Sequence, residues 1–343
     1  MGLKLIPNDL HVPFAKFRDV ALAISAAAML ASIGALFVLG LNLGIDFRGG
    51  VTVEVGPADG QIFEQSDLGA VREAVGQLGL GEVGTKEIGG VAGAPGGIAV
   101  TVELQDVPDS APEVDAETGE AISVDQAAER RQMQIAETMT DVLKETLGDD
   151  IHVRRIDVVG PTVSGELLRN GLTGLGVAIF MMLLYIWFRF EWQFSLGAIF
   201  ALVHDVTLTL GLFAITQFEF TLSIIAALLT IIGYSMNDTV IVYDRIRENL
   251  RRYKQMPLSQ LIDMSINNTL SRTLMTSGTT LIALLALFFL GGEVLRGFSF
   301  ALIWGIVIGT YSSIFIASPF LLKTGVKRDW SNMPADTKAA RAP

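Results

Sequence analysis

Four ionisable side chains sit where long apolar runs leave little room for charge. Asp238 lies in "GYSMNDTV" (233–240), inside a run that begins LSIIAALLTII and resumes with VIVY. His204 and Asp205 interrupt a second run in "LVHDV" (202–206), and Arg272 opens a third in "SRTLMTSGTT" (271–280). A charge at the centre of a membrane costs at least ~2.5–3.5 kcal/mol, so such residues face a partner or a water-filled cavity. A carboxylate beside a guanidinium stays ionised, whereas one moved away into apolar surroundings takes up a proton. An Asp238–Arg272 pair that is made and broken would therefore bind and release protons. The other reading is a static ion pair near the membrane edge. His204–Asp205 likewise reads either as a proton-carrying group or as a structural hydrogen-bonding pair. At helical spacing Tyr234 and Ser235 share the Asp238 face, with Asn237 and Thr239 flanking it. Thr276 and Thr279 follow Arg272 on its own face. Together these residues predict a polar seam between two apolar helices.

The elements that must position these groups are membrane spans. Half of the 343 residues are hydrophobic and the mean hydropathy is +0.48, too apolar for an ordinary soluble enzyme. Runs of roughly 20 apolar residues, enough to cross about 30 Å of hydrocarbon, fall near 19–40, 168–188, 194–215, 221–243, 273–290 and 298–321. These boundaries place Asp238 near one end of the fourth span and Arg272 at the start of the fifth, at similar depth across a loop at 244–272. Span six repeats a small residue every fourth position, Ala301, Gly305, Gly309, Ser313 and Ala317. This stripe suits close helix packing, within the chain or against another one.

Charge gives the orientation. Residues 46–166 carry 24 acidic and 8 basic side chains within a net charge of −11, and the remainder is net basic. Lys and Arg cluster before span one, between spans four and five, and after span six. By the positive-inside rule both termini are cytoplasmic and the acidic segment is exported. Its acidity argues against a nucleic-acid partner. The expected organisation is a cytoplasmic N-terminus (1–18), a first span (19–40), an exported domain (41–166), five further spans (167–322) and a cytoplasmic tail (323–343). Residues 19–40 are too long for a signal h-region and read as an uncleaved span. The absence of cysteine excludes disulfides, and three scattered histidines make a zinc cluster implausible. No metal or cofactor is expected.

The exported segment reads strand, helix, strand, strand, helix, strand. "VTVEV" (51–55) alternates with the strand period. Leu68, Val71, Val75 and Leu78 share a helical face, with Ser66 as N-cap and Gly79 as stop. "GEVGTKEI" and "GGIAVTVEL" follow as strands. Ser123 and Gln126 have capping-box spacing before a helix that turns Ile135, Met139 and Val142 inward and ends at Gly148. "IHVRRIDVV" (151–159) closes a split βαβ, ferredoxin-like order. The acidic, proline-bearing stretch 105–121 reads as a solvated loop insertion. Nothing in this domain has the pattern of a catalytic site.

Taken together, "GIDFRGG" (44–50), "VGPTVSGEL" (159–167), "HDV", "IGYSMNDTVIVYDRIREN" (232–249), "SRTLMTSGTT" and "LRGFSF…GTYSSIFIASP" (295–319) resemble the SecF branch of the SecD/SecF protein-export family. That family belongs to the resistance–nodulation–division superfamily. The likeness runs from about Lys4 to Lys327, in order; 105–121 and the tail after Asp329 lie outside it. It implies six spans that pair pseudo-symmetrically with six more from SecD, a separate polypeptide. The implied location is the bacterial inner membrane. The implied partners are SecD, the SecYEG channel, YajC, indirectly SecA, and unfolded preproteins drawn out by the proton-motive force. In the family the aspartate of "ND" and the arginine opening span five are tied to proton passage, and they fall on Asp238 and Arg272. Asp205 is the further candidate, with His204, Ser235, Asn237, Thr239 and Thr276 as supporting polar groups.

The expected mechanism has protonation of Asp238 loosen its pairing with Arg272. The movement then passes through spans one and two to the exported domain. Gly44, Asp46, Gly49 and Gly50, with Gly160 and Pro161, mark the two couplings at its base and also suit tight turns. Three rivals stand beside this reading, one of them an assembly scaffold without proton coupling, for which Asp238→Asn would be silent. A drug or lipid exporter of the same superfamily ordinarily has twelve spans and two large exported loops. An intramembrane aspartyl protease would use Asp205 and Asp238 as a dyad, but "SMN" replaces the Gly-x-Gly before the second aspartate, and Arg272 would oppose the shared proton a dyad needs.

Overall fold

A computed structural model describes residues 11–57, 63–89, 96–104 and 124–326. A short 3₁₀ turn (Phe14–Phe17) leads into α1 (Arg18–Val38), and α2 (Ile45–Arg48) is a single turn. Then come β1 (Gly50–Gly56), α3 (Gln65–Gly76), β2 (Gly81–Ile88), β3 (Gly97–Leu104), α4 (Val124–Leu147) and β4 (His152–Val159). The chain continues as α5 (Pro161–Arg189), α6 (Trp192–Thr216), α7 (Leu222–Arg252), α8 (Leu258–Leu290) and α9 (Glu293–Ser312). A π-helical turn (Ser313–Ala317) joins α9 to α10 (Ser318–Thr324). Among the described residues six helical stretches are long and apolar enough to cross a membrane, the sixth running from Val294 to Thr324.

The four strands form one antiparallel sheet in the order β2-β3-β1-β4, the ferredoxin-like arrangement. Strand alternation places Val51, Val53 and Val55 of β1 beside Ile98, Val100 and Val102 of β3 on one face. Val71 and Val75 of α3 and Ala136, Met139 and Leu143 of α4 close that core. The expected inward Ile135 and Val142 flank it, partly buried. Helix α3 starts differently from the sequence expectation. Its cap is Glu64, in a reciprocal capping box with Asp67, and not Ser66. Glu64 precedes the first turn and has a longer reach, and the N3 acid completes the box. Gly148, at φ +106°, ends α4 as expected. Ser123 and the stretch 105–121 lie outside the described residues.

Within the bundle, α6, α7 and the last stretch are largely buried, whereas α1, α5 and α8 are peripheral. The small-residue stripe of α9 lies against α7. A Cβ on Gly305 would collide with Ile231, and one on Gly309 would sit 2.9 Å from Ser235 Cβ. The question of that stripe's partner therefore closes within this chain.

The link between α7 and α8 corrects the sequence reading. No loop covers 244–272: α7 runs on to Arg252 and α8 begins at Leu258. Ile246 and Leu250 pack in one buried cluster with Leu261 and Ile262, and the amide of Asn249 donates to Ser265 Oγ at 2.8 Å. The segment is too polar to register as a span, but it keeps an apolar stripe at helical spacing and folds as a helical hairpin.

Candidate functional site

Asp205 ties three spans together. It is buried in α6, and His204 Nδ1 lies 2.9 Å from its Oδ1. Its Oδ2 accepts from Ser235 Oγ of α7 at 2.5 Å and from Ser312 Oγ of α9 at 2.7 Å. Gly309 makes this junction possible, because any side chain there would push α9 away from Ser235. The His204 ring stacks on Tyr311 with centroids 6.1 Å apart. The Tyr311 hydroxyl donates to the carbonyl of Ala21 and accepts from Ser25 Oγ, extending the network to α1. Just beyond, the π turn widens the helix and displaces its carbonyl bonds. Tyr243 Oη donates to the Ala317 carbonyl at 3.0 Å and Ser318 Oγ to that of Ser313 at 2.8 Å.

Asp238 lies one turn after Ser235 on α7 and is buried. Its Oδ2 has no hydrogen-bond partner among the described residues. Arg272 is the cation whose charge acts on it through space. The direct pair expected from the sequence is not made: Arg272 is exposed and forms no salt bridge among the described residues. Between 269 and 279 the polar α8 side chains that do turn into the bundle are Thr269, Thr273 and Ser277. Tyr234 Oη reaches Ser277 Oγ at 3.4 Å, and Ser277 bonds Thr310 Oγ1 at 2.7 Å. The seam therefore runs along 269–273–277 and not along 272–276–279. Arg272 sits one residue off that stripe, about 100° around the helix. Thr276 and Thr279 are exposed and turn their hydroxyls back to their own helix's carbonyls. Thr239 is buried and Asn237 exposed.

The base of the sheet domain grips α7 directly. After α1, the backbone of Asn42–Gly44 runs beside the link between α6 and α7. Phe220 N donates to the Asn42 carbonyl at 2.7 Å, and Gly44 N to the Phe220 carbonyl at 3.0 Å. Asp46 Oδ2 accepts from the backbone N–H of Leu222, the first residue of α7, at 2.8 Å. This satisfies one of the donors that every helix start leaves open. Phe47 is buried against Phe220, ring centroids 6.0 Å apart. Gly49 takes φ +75°, and Gly50 passes so close to the Val102 carbonyl (2.5 Å from a built Cβ) that a side chain would not fit. At the domain's other end Gly160 caps α5 and Pro161 occupies its first turn, so β4 passes into α5 with no intervening loop.

Sequence spacing found Asp205, Asp238 and Ser235 and missed Ser312, Tyr311 and Thr273. The available signal was the α9 stripe, since Ser312 adjoins its member Ser313. The grip on Leu222 spans 176 residues of sequence and leaves no local signal.

Comparison with known proteins adds an independent line. The family described as protein export membrane protein SecD/SecF, C-terminal, matches residues 138–327, and the SecD/SecF GG motif matches residues 34–57. The chain is 42% identical to a protein translocase subunit SecF of Cereibacter sphaeroides, over 95% of this chain and 93% of that protein. It is 41% identical to a protein translocase subunit SecDF of Brucella abortus, over 99% of this chain and 40% of that one. Among solved structures it is similar to the translocon-associated membrane protein SecDF of Thermus thermophilus, with a TM-score of 0.73 and 32% identity. That match covers 97% of this chain and 40% of the solved one. A SecDF structure described as a super-membrane-facing form matches with a TM-score of 0.55.

Proposed function

The chain belongs to the SecD/SecF family of protein-export membrane proteins, and from that premise we propose that it works with SecD to turn the proton-motive force into movement of its sheet domain. That movement promotes passage of preproteins through SecYEG and their release outside the cytoplasm. In this reading residues 41–166 are periplasmic, both termini are cytoplasmic, and the membrane is the bacterial inner membrane. SecD supplies the second set of spans, against the exposed face that carries Asn237, Arg272 and Thr276. YajC and, indirectly, SecA complete the assembly.

One observation supports this most: a buried carboxylate, Asp238, that among the described residues is answered by Arg272 through space and by no hydrogen bond, on the same helix that Asp46 grips at its start. A carboxylate that changes its distance from a fixed cation changes its proton affinity. Protonation therefore biases the position of α7 relative to α8 and SecD. Because α7 is held by the domain base, its shift reaches the domain directly as well as through α1 and α5. Asp205 holds α6, α7 and α9 in one arrangement and releases them when its hydrogen bonds change. Moving one charge down 100 mV supplies ~2.3 kcal/mol, enough to bias an equilibrium roughly fifty-fold.

The test is Asp238→Asn in inverted membrane vesicles that contain SecD. Gradient-stimulated translocation of a secreted preprotein is expected to fall to the level seen without a gradient. Unchanged stimulation would overturn the proposal.

A further inference from the structure

The face of the sheet not covered by α3 and α4 roofs a cavity of about 780 Å³, floored by the link between α6 and α7 and by the start of α9. Its volume lies within the range of small-ligand pockets, about 300–1,000 Å³. Its walls are unlike an apolar pocket. Alternation along the strands turns Thr52, Thr101 and Glu103 into it, with Glu82, Gly84 and Lys86 from β2. Six lining carboxylates, Asp46, Glu54, Glu82, Glu103, Asp157 and Glu219, face three cations, Arg48, Lys86 and Arg155. Arg48 pairs with Glu103 and Arg155 with Asp157, so the carboxylates still outnumber the cations by three. The cavity therefore carries a net negative charge.

The sheet order adds a second feature. β2 is an outer strand, paired only with β3 among the described residues. An outer strand presents a row of backbone donors and acceptors to which an extended chain can add, with its alternate side chains falling in pockets. On β2 the residues turned to the cavity are Glu82, Gly84 and Lys86, and Gly84 leaves space beside Thr101, where a built Cβ meets its nearest neighbour at 3.9 Å.

We infer that this cavity and the β2 edge bind an extended segment of the exported polypeptide, through its backbone along β2 and its cationic side chains among the carboxylates. This rests on the export function proposed above. Backbone recognition suits a substrate of varied sequence, and the acidic walls set the preference for Lys and Arg. Asp46 lines the cavity as well as holding Leu222, so movement of α7 changes the shape of the site.

The experiment places a photo-reactive phenylalanine analogue at position 84. A control carries it at position 69, an exposed glycine of α3 with open space around it. Each variant, with SecD in inverted vesicles, meets a preprotein stalled in translocation with a Lys-rich segment outside the channel. Position 84 is expected to cross-link to the preprotein at least several-fold above position 69. Replacing the segment's Lys by Gln, or combining Glu54→Gln with Glu82→Gln, is expected to lower the yield several-fold. Equal or absent cross-linking from position 84, with translocation still stimulated, overturns this site and leaves the export function standing. Cross-links to SecD or to a second copy of this chain in place of the preprotein also overturn it. Loss of stimulation by the unsubstituted chain removes the export function itself, and the site with it.

Discussion

The carboxylate of Asp46 accepts the backbone N–H of Leu222 at 2.8 Å, across 176 residues of sequence, and so joins the base of the sheet domain to the first turn of α7. Asp238 lies sixteen residues farther along that helix, about 24 Å at 1.5 Å per residue. One continuous helix thus connects the domain to the buried carboxylate. The route expected from the sequence runs through spans one and two, which flank the domain.

The grip predicts a specific mutational pattern. Asp46→Ala removes the acceptor at the helix start, a change that costs about 0.5–2 kcal/mol at comparable caps. It is expected to slow gradient-driven export several-fold, read as precursor-to-mature conversion in a pulse-chase. Asp46→Asn keeps a side-chain oxygen and is expected to retain most of the rate. An alanine variant as fast as the unsubstituted protein would show that the contact transmits nothing.

Ser235 and Ser312 donate to the same oxygen of Asp205, so their effects are expected to depend on one another. Each alanine substitution removes a hydrogen bond to a carboxylate, worth about 1.5–3 kcal/mol. Thermal unfolding in detergent should place the double variant well away from the sum of the single ones. Strict additivity would mean that the two hydroxyls do not share a partner.

Close packing of α9 on α7 makes a steric prediction. Gly305→Val would drive side-chain atoms into Ile231, and overpacking of this kind costs about 1–3 kcal/mol. A lower unfolding temperature is expected, partly restored by adding Ile231→Ala. Gly278→Ala, in a helix interior with open space around it, should not lower the temperature and is expected to raise it slightly. A Gly305 variant as stable as the parent would contradict the observed contact.

The hairpin between α7 and α8 is testable because the chain has no native cysteine. Asn249→Cys with Ser265→Cys should form a disulfide readily on mild oxidation, since these side chains touch at 2.8 Å. Cross-linking no better than between randomly chosen pairs in 244–272 would favour the loop that hydropathy suggested.

Local patterns made much of the fold legible. Valine alternation marked β1, heptad-like spacing marked α4, and apolar length marked the six spans, because each signal lies within a dozen or two residues. Hydropathy failed at 244–272, where charged helix ends mask an apolar stripe of Ile246, Leu250, Leu261 and Ile262. Face assignment failed at Arg272 because the seam was drawn through the arginine. Burial instead favours the smaller hydroxyls of Thr269, Thr273 and Ser277. The Asp205 network and the Asp46 grip depend on residues brought together only by tertiary packing. Asp205, Ser235 and Asp46 stand out in the sequence, but spacing sets Ser235 beside Asp238 and not Asp205, and it gives no sign of Ser312 or Leu222 as partners.

The most direct test measures domain movement itself. Spin labels at Gly69→Cys in α3 and Ile282→Cys on the exposed face of α8 report the distance between the sheet domain and the bundle, in vesicles containing SecD. Imposing a proton gradient is expected to shift the distance distribution of the otherwise unsubstituted chain, and Asp238→Asn is expected to hold it in one state with or without the gradient. An Asp238→Asn chain whose distances respond to the gradient as the parent's do would contradict the account.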